Sequence, residues 1–193
     1  MNTLTLIKKR RTIRLYKSKK IPNSVVKKII DAGIWGPSVA IYQPWHIVVV
    51  TNGELRRRIN GVISKKVKNK GVVGTVLLSA TARAMSKAPM VIFVYATGEF
   101  VNFAKRFGKD CEKFARIAEI CATSATIQNM LLVAEDLGVG GCWHDTPLFC
   151  EKEINKLLQV DHNLIAALTL GYPAERGNRA KRKEMSLIVK YLK

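Results

Sequence analysis

The stretch from Cys111 to Leu137 constrains this chain more than any other, because Phe114, Ile117, Cys121, Ala125, Gln128 and Leu132 recur along one side at helical spacing and Gly138 ends the run. At about 1.5 Å per residue such a helix spans some 40 Å, enough to cross a whole domain. It predicts a spine around which the rest must pack. With 193 residues, the chain suits one well-buried domain, 1–193.

The other apolar runs are short. "MVIFVYA" at 90–96 reads as a buried strand and falls far below the roughly 20 residues of a membrane span. "HIVVV" is apolar on both faces, which predicts a central strand. "VGGCW" and "LIAALTL" add two more, and the tail "SLIVKYL" reads as a fifth beyond a charged linker over 174–184. Helical spacing marks a short element at Leu4, Leu6 and Ile7, another from Pro22 to Gly33, and a third over 54–70. In that third helix Leu55, Ile59, Val62, Ile63 and Val67 form one stripe with cations opposite, the pattern of a solvated face. Glu151 to Leu158 is a further short helix. Strand and helix alternate too loosely for a doubly wound parallel sheet, so the expectation is α+β, a sheet of about five strands with helices on both faces.

Charge opens a different question. The 33 Lys and Arg against 14 Asp and Glu give a net +19, bunched as eight from Lys8 to Lys20, seven from Arg56 to Lys70 and five from Arg176 to Lys183. Clustered cations raise a nucleic-acid or other anion-binding reading. Scattered bunches, few aromatics for base stacking and the lack of a nucleic-acid motif weigh against it. Cys111, Cys121, Cys142 and Cys150 are irregularly spaced with no CxxC, and His46, His144 and His162 are not spaced with them as zinc ligands are, so free thiols and no metal are expected. "MNTLTLIKKRR" lacks the order of a secretory signal, and the expected location is the cytoplasm.

Three segments carry candidate chemistry. If "RRTIRLY" is extended, Arg10, Thr12 and Arg14 share one face while Arg11, Ile13 and Leu15 share the other. "GVGG" at 138–141 ends a helix and begins a strand, the reverse of a dinucleotide fingerprint, and suits the close approach of a backbone or a flat ligand. "PSVAIYQPW" is a proline-stiffened loop whose amides can address a planar polar ligand. Singly, each is better read as an ordinary solvated run, cap or connection.

Their order is informative. "RRTIRLY", "GPSVAIYQPWHIVVV", "ATIQNMLLVAEDLGVGGCW", "LTLGYPAE" and a closing "KRK" together resemble the FMN-dependent nitroreductase family, from about Leu4 to the C-terminus. The resemblance implies an intertwined homodimer with FMN at its interface, the long helix at the dimer core and the tail reaching the partner's sheet. It implies a phosphate site of Arg10, Arg11, Thr12 and Arg14 with Lys181 and Arg182; guanidinium forks plus a hydroxyl suit a phosphate dianion. Pro37, Ser38, Val39 and Ile41 would approach the flavin from the other subunit, and the backbone of Trp143, His144, Asp145 and Thr146 would face the reactive edge of the ring. Family members commonly carry Asn at the position of Ile41, so Gln43 becomes the candidate substitute, and "WHDTP" lacks their usual glycine, so His144 and Asp145 would shape the substrate face differently. The implied activity is NADH- or NADPH-dependent reduction of nitroaromatics, quinones or similar acceptors by a ping-pong mechanism. Dehalogenation, flavin fragmentation and dehydrogenation occur on similar folds and stay open. No side chain is singled out as an acid or base, because the flavin carries the hard chemistry.

Overall fold

In the computed structural model, which describes residues 2–67 and 71–192, four strands form one antiparallel sheet. They are β1 (Trp45–Val50), β2 (Met90–Ala96), β3 (Gly140–His144) and β4 (Asn163–Gly171), in the order β1-β2-β4-β3. Seven α-helices are described: α1 (Thr3–Lys9), α2 (Asn23–Ile34), α3 (Gly53–Val67), α4 (Gly71–Lys87), α5 (Glu99–Ala104), α6 (Lys109–Asp136) and α7 (Glu151–Leu158). Lys68 and Lys70 of the second basic bunch lie outside the described residues.

The sheet's two faces follow from the period of two in β2, every residue of which is buried. Val91, Phe93 and Tyr95 face Ile59, Ile63, Leu78, Met85 and Ile154 of α3, α4 and α7. Met90, Ile92 and Val94 face Ile29 of α2 and Ile127, Met130 and Leu131 of α6. The predicted spine is therefore real, and α2 can lie close against it because Gly33 has no side chain: a Cβ there would stand 2.8 Å from Met130 Cγ. By length and composition α6 is the one described helix that could cross a membrane, yet its most apolar stretch is 44% buried here among sheet and helices.

Three expectations are corrected. "HIVVV" is not central: β1 is an outer strand, with Val49 exposed, and the central places belong to β2 and β4. The tail is not a fifth strand, because "SLIVKYL" makes only a 3-10 turn at Met185–Leu187 and its side chains lie in solvent. The apolar row chosen for α6 is not its core face either. Phe114 and Ile117 are exposed, and the buried row is Ala115, Ala122, Ile127, Met130 and Ala134 around a buried Glu119. The Glu119 carboxylate accepts hydrogen bonds from the amides of Gly98, Phe100 and Val101 at the start of α5, a short helix that no sequence period announced.

Candidate functional site

The basic segment after α1 is extended and locked to the β3 edge. Thr12 bridges Gly141, the Ile13 amide donates to the Gly141 carbonyl at 3.0 Å, and Tyr16 bridges Pro173. Glycine makes this approach possible: a Cβ on Gly140 would lie 2.7 Å from Ile13 Cγ1 and 2.9 Å from Pro173 Cγ. Ile13 is thereby buried at 3% exposure, while Arg14 faces out. A second clasp comes from the Glu175 carboxylate, which accepts the amides of Arg14 and Leu15 at 2.6 and 3.0 Å.

Alternation sorts the arginines as expected. Arg10 and Arg14 both lie near the Cys142 thiol on β3, although burial outweighs them and pushes that thiol up to about 11, so it stays uncharged. Arg11, on the other side of the chain, turns back to donate to the Lys8 and Arg10 carbonyls at 2.7 and 2.8 Å and caps α1. Its role here is to fasten a helix end. Arg14 also borders a cleft of about 520 Å³ shared with Thr75, Ser79 and Arg83 of α4. Among the described residues no carboxylate forms an ion pair with Arg10 or Arg14.

Behind this surface runs a continuous chain of buried polar side chains. The Tyr16 hydroxyl meets Thr169 Oγ1 at 2.8 Å, and Thr169 Oγ1 meets His144 Nε2 at 3.0 Å. His144 Nδ1 meets Thr81 Oγ1 at 3.1 Å, and Thr81 meets Thr146 Oγ1 at 2.6 Å. Burial, and then the charge of Arg14, lower His144 to about 4, so the imidazole is neutral and can donate at one nitrogen and accept at the other. These contacts tie the basic segment, β4, β3, α4 and the start of the Thr146–Cys150 turn together. Neither Tyr16, Thr81 nor Thr169 was singled out from sequence; a polar residue inside an apolar strand, as Thr169 is in "LIAALTL", was the available signal.

The two expected shapers of the substrate face differ in access, His144 being buried and Asp145 exposed. The His144 side chain is 6% exposed and points into this network, and Asp145 accepts a short hydrogen bond from the Trp143 indole.

The remaining expected residues are not gathered by one chain. Pro37, Ser38, Val39, Ile41 and Gln43 lie in the loop before β1, pinned there by the Thr97 amide on the Pro44 carbonyl, at the opposite edge of the sheet from Arg10. Ala40, Ile41 and Gln43 have φ of 45°, 64° and 47°, a region side chains rarely adopt, and Ile41 is 83% exposed. Tyr42 holds the strained loop to α5, with its ring 5.0 Å from that of Phe100. The linker after β4 crosses the basic segment at Gly177, whose absent Cβ would lie 2.8 Å from Arg11 Cβ, but Lys181 and Arg182 lie farther along on a fully exposed stretch.

Comparison with known proteins gives this geometry a family. A protein of Methanothermobacter thermautotrophicus, provisionally named NADH dehydrogenase/NAD(P)H nitroreductase, is 31% identical over 91% of this chain and 79% of its own length. Mouse iodotyrosine deiodinase 1 is 26% identical over 95% of this chain and 67% of its own. A nitroreductase-like protein of Desulfovibrio desulfuricans, solved with FMN, shares the fold with a TM-score of 0.75 over 100% of this chain and 98% of that one, at 22% identity. The sequence profile described as the Nitroreductase family matches residues 7–172, and the chain belongs to that family.

Proposed function

We propose that this chain is an FMN-dependent oxidoreductase that draws on NADH or NADPH and reduces nitroaromatics, quinones or similar acceptors in a ping-pong cycle. The observation that carries the proposal is the pair Arg10 and Arg14, whose guanidinium groups form no ion pair among the described residues and which are held on one side of an extended segment against a glycine-cleared sheet edge. The residues fit the phosphate of FMN. Two guanidinium groups and the Thr12 hydroxyl supply donors, and the uncharged Cys142 beside them adds no competing anion.

When bound, FMN supplies the redox chemistry, accepting hydride equivalents from the nicotinamide and passing electrons to the acceptor. The chain's own work is to bind and orient. Arg10, Thr12 and Arg14 anchor the phosphate, with Lys181 and Arg182 adding charge from the tail. The Trp143–Thr146 backbone offers N–H donors to the ring edge, and the Thr146–Thr81–His144–Thr169 chain keeps that backbone in place.

The Pro37–Gln43 loop lies at the opposite edge of the sheet from Arg10, which supports its serving the site of a second copy. A homodimer also accounts for the apolar surface on and beside α6, where Phe107, Phe114, Ile117 and Ile120 are all exposed, and for the tail, where Leu187 and Leu192 stand 74% and 83% exposed.

The test is the visible spectrum of the protein with added FMN, followed anaerobically through NADPH and then a quinone. Bound flavin bands that bleach with NADPH and return with the quinone are expected; bands that never bleach end the reading. The similarity to iodotyrosine deiodinases supports a second reading of the same site, reductive dehalogenation. Iodide release from iodotyrosine with no quinone turnover would select it.

A further inference from the structure

The excess positive charge is not evenly spread. One cleft of about 520 Å³ is lined by Lys17, Lys19, Lys20, Arg56 and Lys87, and among the described residues no acidic one lines it. The clefts beside α2, between α5 and α7, and between β1 and α7 each mix cations with Asp or Glu. The cleft between Arg14 and α4 has only two cations. Five cations without a counter-charge thus meet in a single concavity, of a size that takes small ligands.

Two of the five are held in place. The Arg56 guanidinium donates a short hydrogen bond to the Ala88 carbonyl, and its Nε is sealed from solvent without a partner. Burial, and then the like charge of Arg57, lower its proton affinity from the ordinary arginine value. A half-buried cation with no carboxylate is a cost that a bound anion offsets. Lys19 stands 4.6 Å over the Tyr172 ring, which restrains a side chain that would otherwise roam. Ser18 adds a hydroxyl to the same wall, while the Ser86 hydroxyl there donates to the Arg83 carbonyl at 2.8 Å.

We propose that this cleft, between the Lys17–Ile21 segment and the α4–β2 junction, is a second anion site, and that it takes a small ligand carrying several linked phosphoryl groups. It shares no residue with the Arg10–Arg14 surface, from which the buried Tyr16 separates it, and the inference does not depend on the flavin reading. Concave walls and fixed guanidinium geometry suit a compact oligophosphate better than a nucleic-acid backbone, which would need an open track of charge.

Calorimetric titration of sodium tripolyphosphate into the full chain, with FMN present and at about 0.15 M salt, tests it. One saturable site is expected, weakened by about tenfold or more in Lys20→Ala/Lys87→Ala and kept within about twofold in Arg10→Ala/Arg14→Ala. Absence of saturable binding, or a loss that follows Arg10 and Arg14 instead, overturns the proposal. A mixed-sequence single-stranded oligonucleotide, matched in phosphate concentration, should fail to displace the tripolyphosphate. Efficient displacement would assign the phosphoryl groups to a polymer and overturn the small-ligand site.

Discussion

The two arms of the proposed phosphate clamp carry similar charge and have opposite structural standing. The N-terminal arm, Arg10 to Tyr16, is paired to β3 and to the segment after β4, with Ile13 and Tyr16 at 3% and 8% exposure. The C-terminal arm around Lys181 and Arg182 is exposed throughout and has neither helix nor strand. The difference lies between the cations. Ile13 and Tyr16 interrupt the first run with side chains that bury, whereas "KRK" offers nothing apolar to anchor. A run of positive charge becomes a preorganised site only where its neighbours fix the backbone.

Removing that anchor should have the largest effect. Ile13→Ala is expected to cost about 3 kcal/mol of stability, the usual range for emptying a buried isoleucine site, and to weaken FMN binding by about tenfold because Arg10 and Arg14 lose their common backing. Urea unfolding midpoints and fluorescence titration with FMN read the two effects. Stability lost with FMN affinity unchanged would show that the arginines do not need the anchor, and the contrast between the arms would lose its meaning. Gly140→Ala attacks the same contact from the strand side and should cost about 1–3 kcal/mol through overpacking against Ile13 and Pro173.

The next effect is a pH dependence peculiar to the anchored arm. His144 is depressed to about 4 in the folded chain against an ordinary 6.5, chiefly by burial. The unfolded chain therefore takes up the proton first. The stability from a neutral His144 is fully present above about pH 6.5 and is lost as pH falls toward 4, on the order of 2–3 kcal/mol. Unfolding at pH 7 and at pH 4.5 should differ more for the native chain than for His144→Gln, whose amide keeps a donor and an acceptor but does not titrate. Equal acid sensitivity would remove His144 from the account. The tail, with no buried titrating group, should stay silent in this comparison.

Much of this was readable from sequence. Periodicity placed α6, α2 and α3 and all four strands, and the alternation in "RRTIR" correctly separated Arg10 and Arg14 from Arg11. Errors arose where a local pattern has two tertiary outcomes. "HIVVV" is apolar enough for a central strand, yet chain connectivity sets it at an edge, and helix packing over its faces uses the same residues. "SLIVKYL" is apolar enough for a strand but pairs with no strand among the described residues. On α6 two apolar rows lie side by side, and composition alone does not say which faces the sheet. The polar chain from Tyr16 to Thr146 was hidden because its members come from four stretches far apart in sequence, around residues 16, 81, 144–146 and 169, and meet only after folding.

Testing the arginines directly should cost less in total, because stability is spared, and should act on FMN binding alone. Arg14 is exposed, so Arg14→Ala should leave stability within about 0.5 kcal/mol while weakening FMN by about 2 kcal/mol, the worth of a charge-assisted hydrogen bond. An affinity loss below about twofold would take Arg14 out of the site.

The smallest expected effect is the sharpest test of the contrast. Lys181→Ala/Arg182→Ala removes two charges that are exposed and unpaired among the described residues, so FMN affinity should fall by no more than about threefold, the range of screened surface charges. The assembled state decides whether that expectation holds. If the tail folds over a second copy, the apolar residues from Met185 to Leu192 would gain the cover they lack here and would fix the two cations as firmly as Ile13 fixes Arg14. The double variant would then lose more than about tenfold in affinity, and a chain cut after Glu184 would lose as much with both cations still in place. Equal losses in these two proteins, with a shift toward monomer by sedimentation only in the truncated one, would show that apolar docking against the partner turns the second basic arm into part of the site.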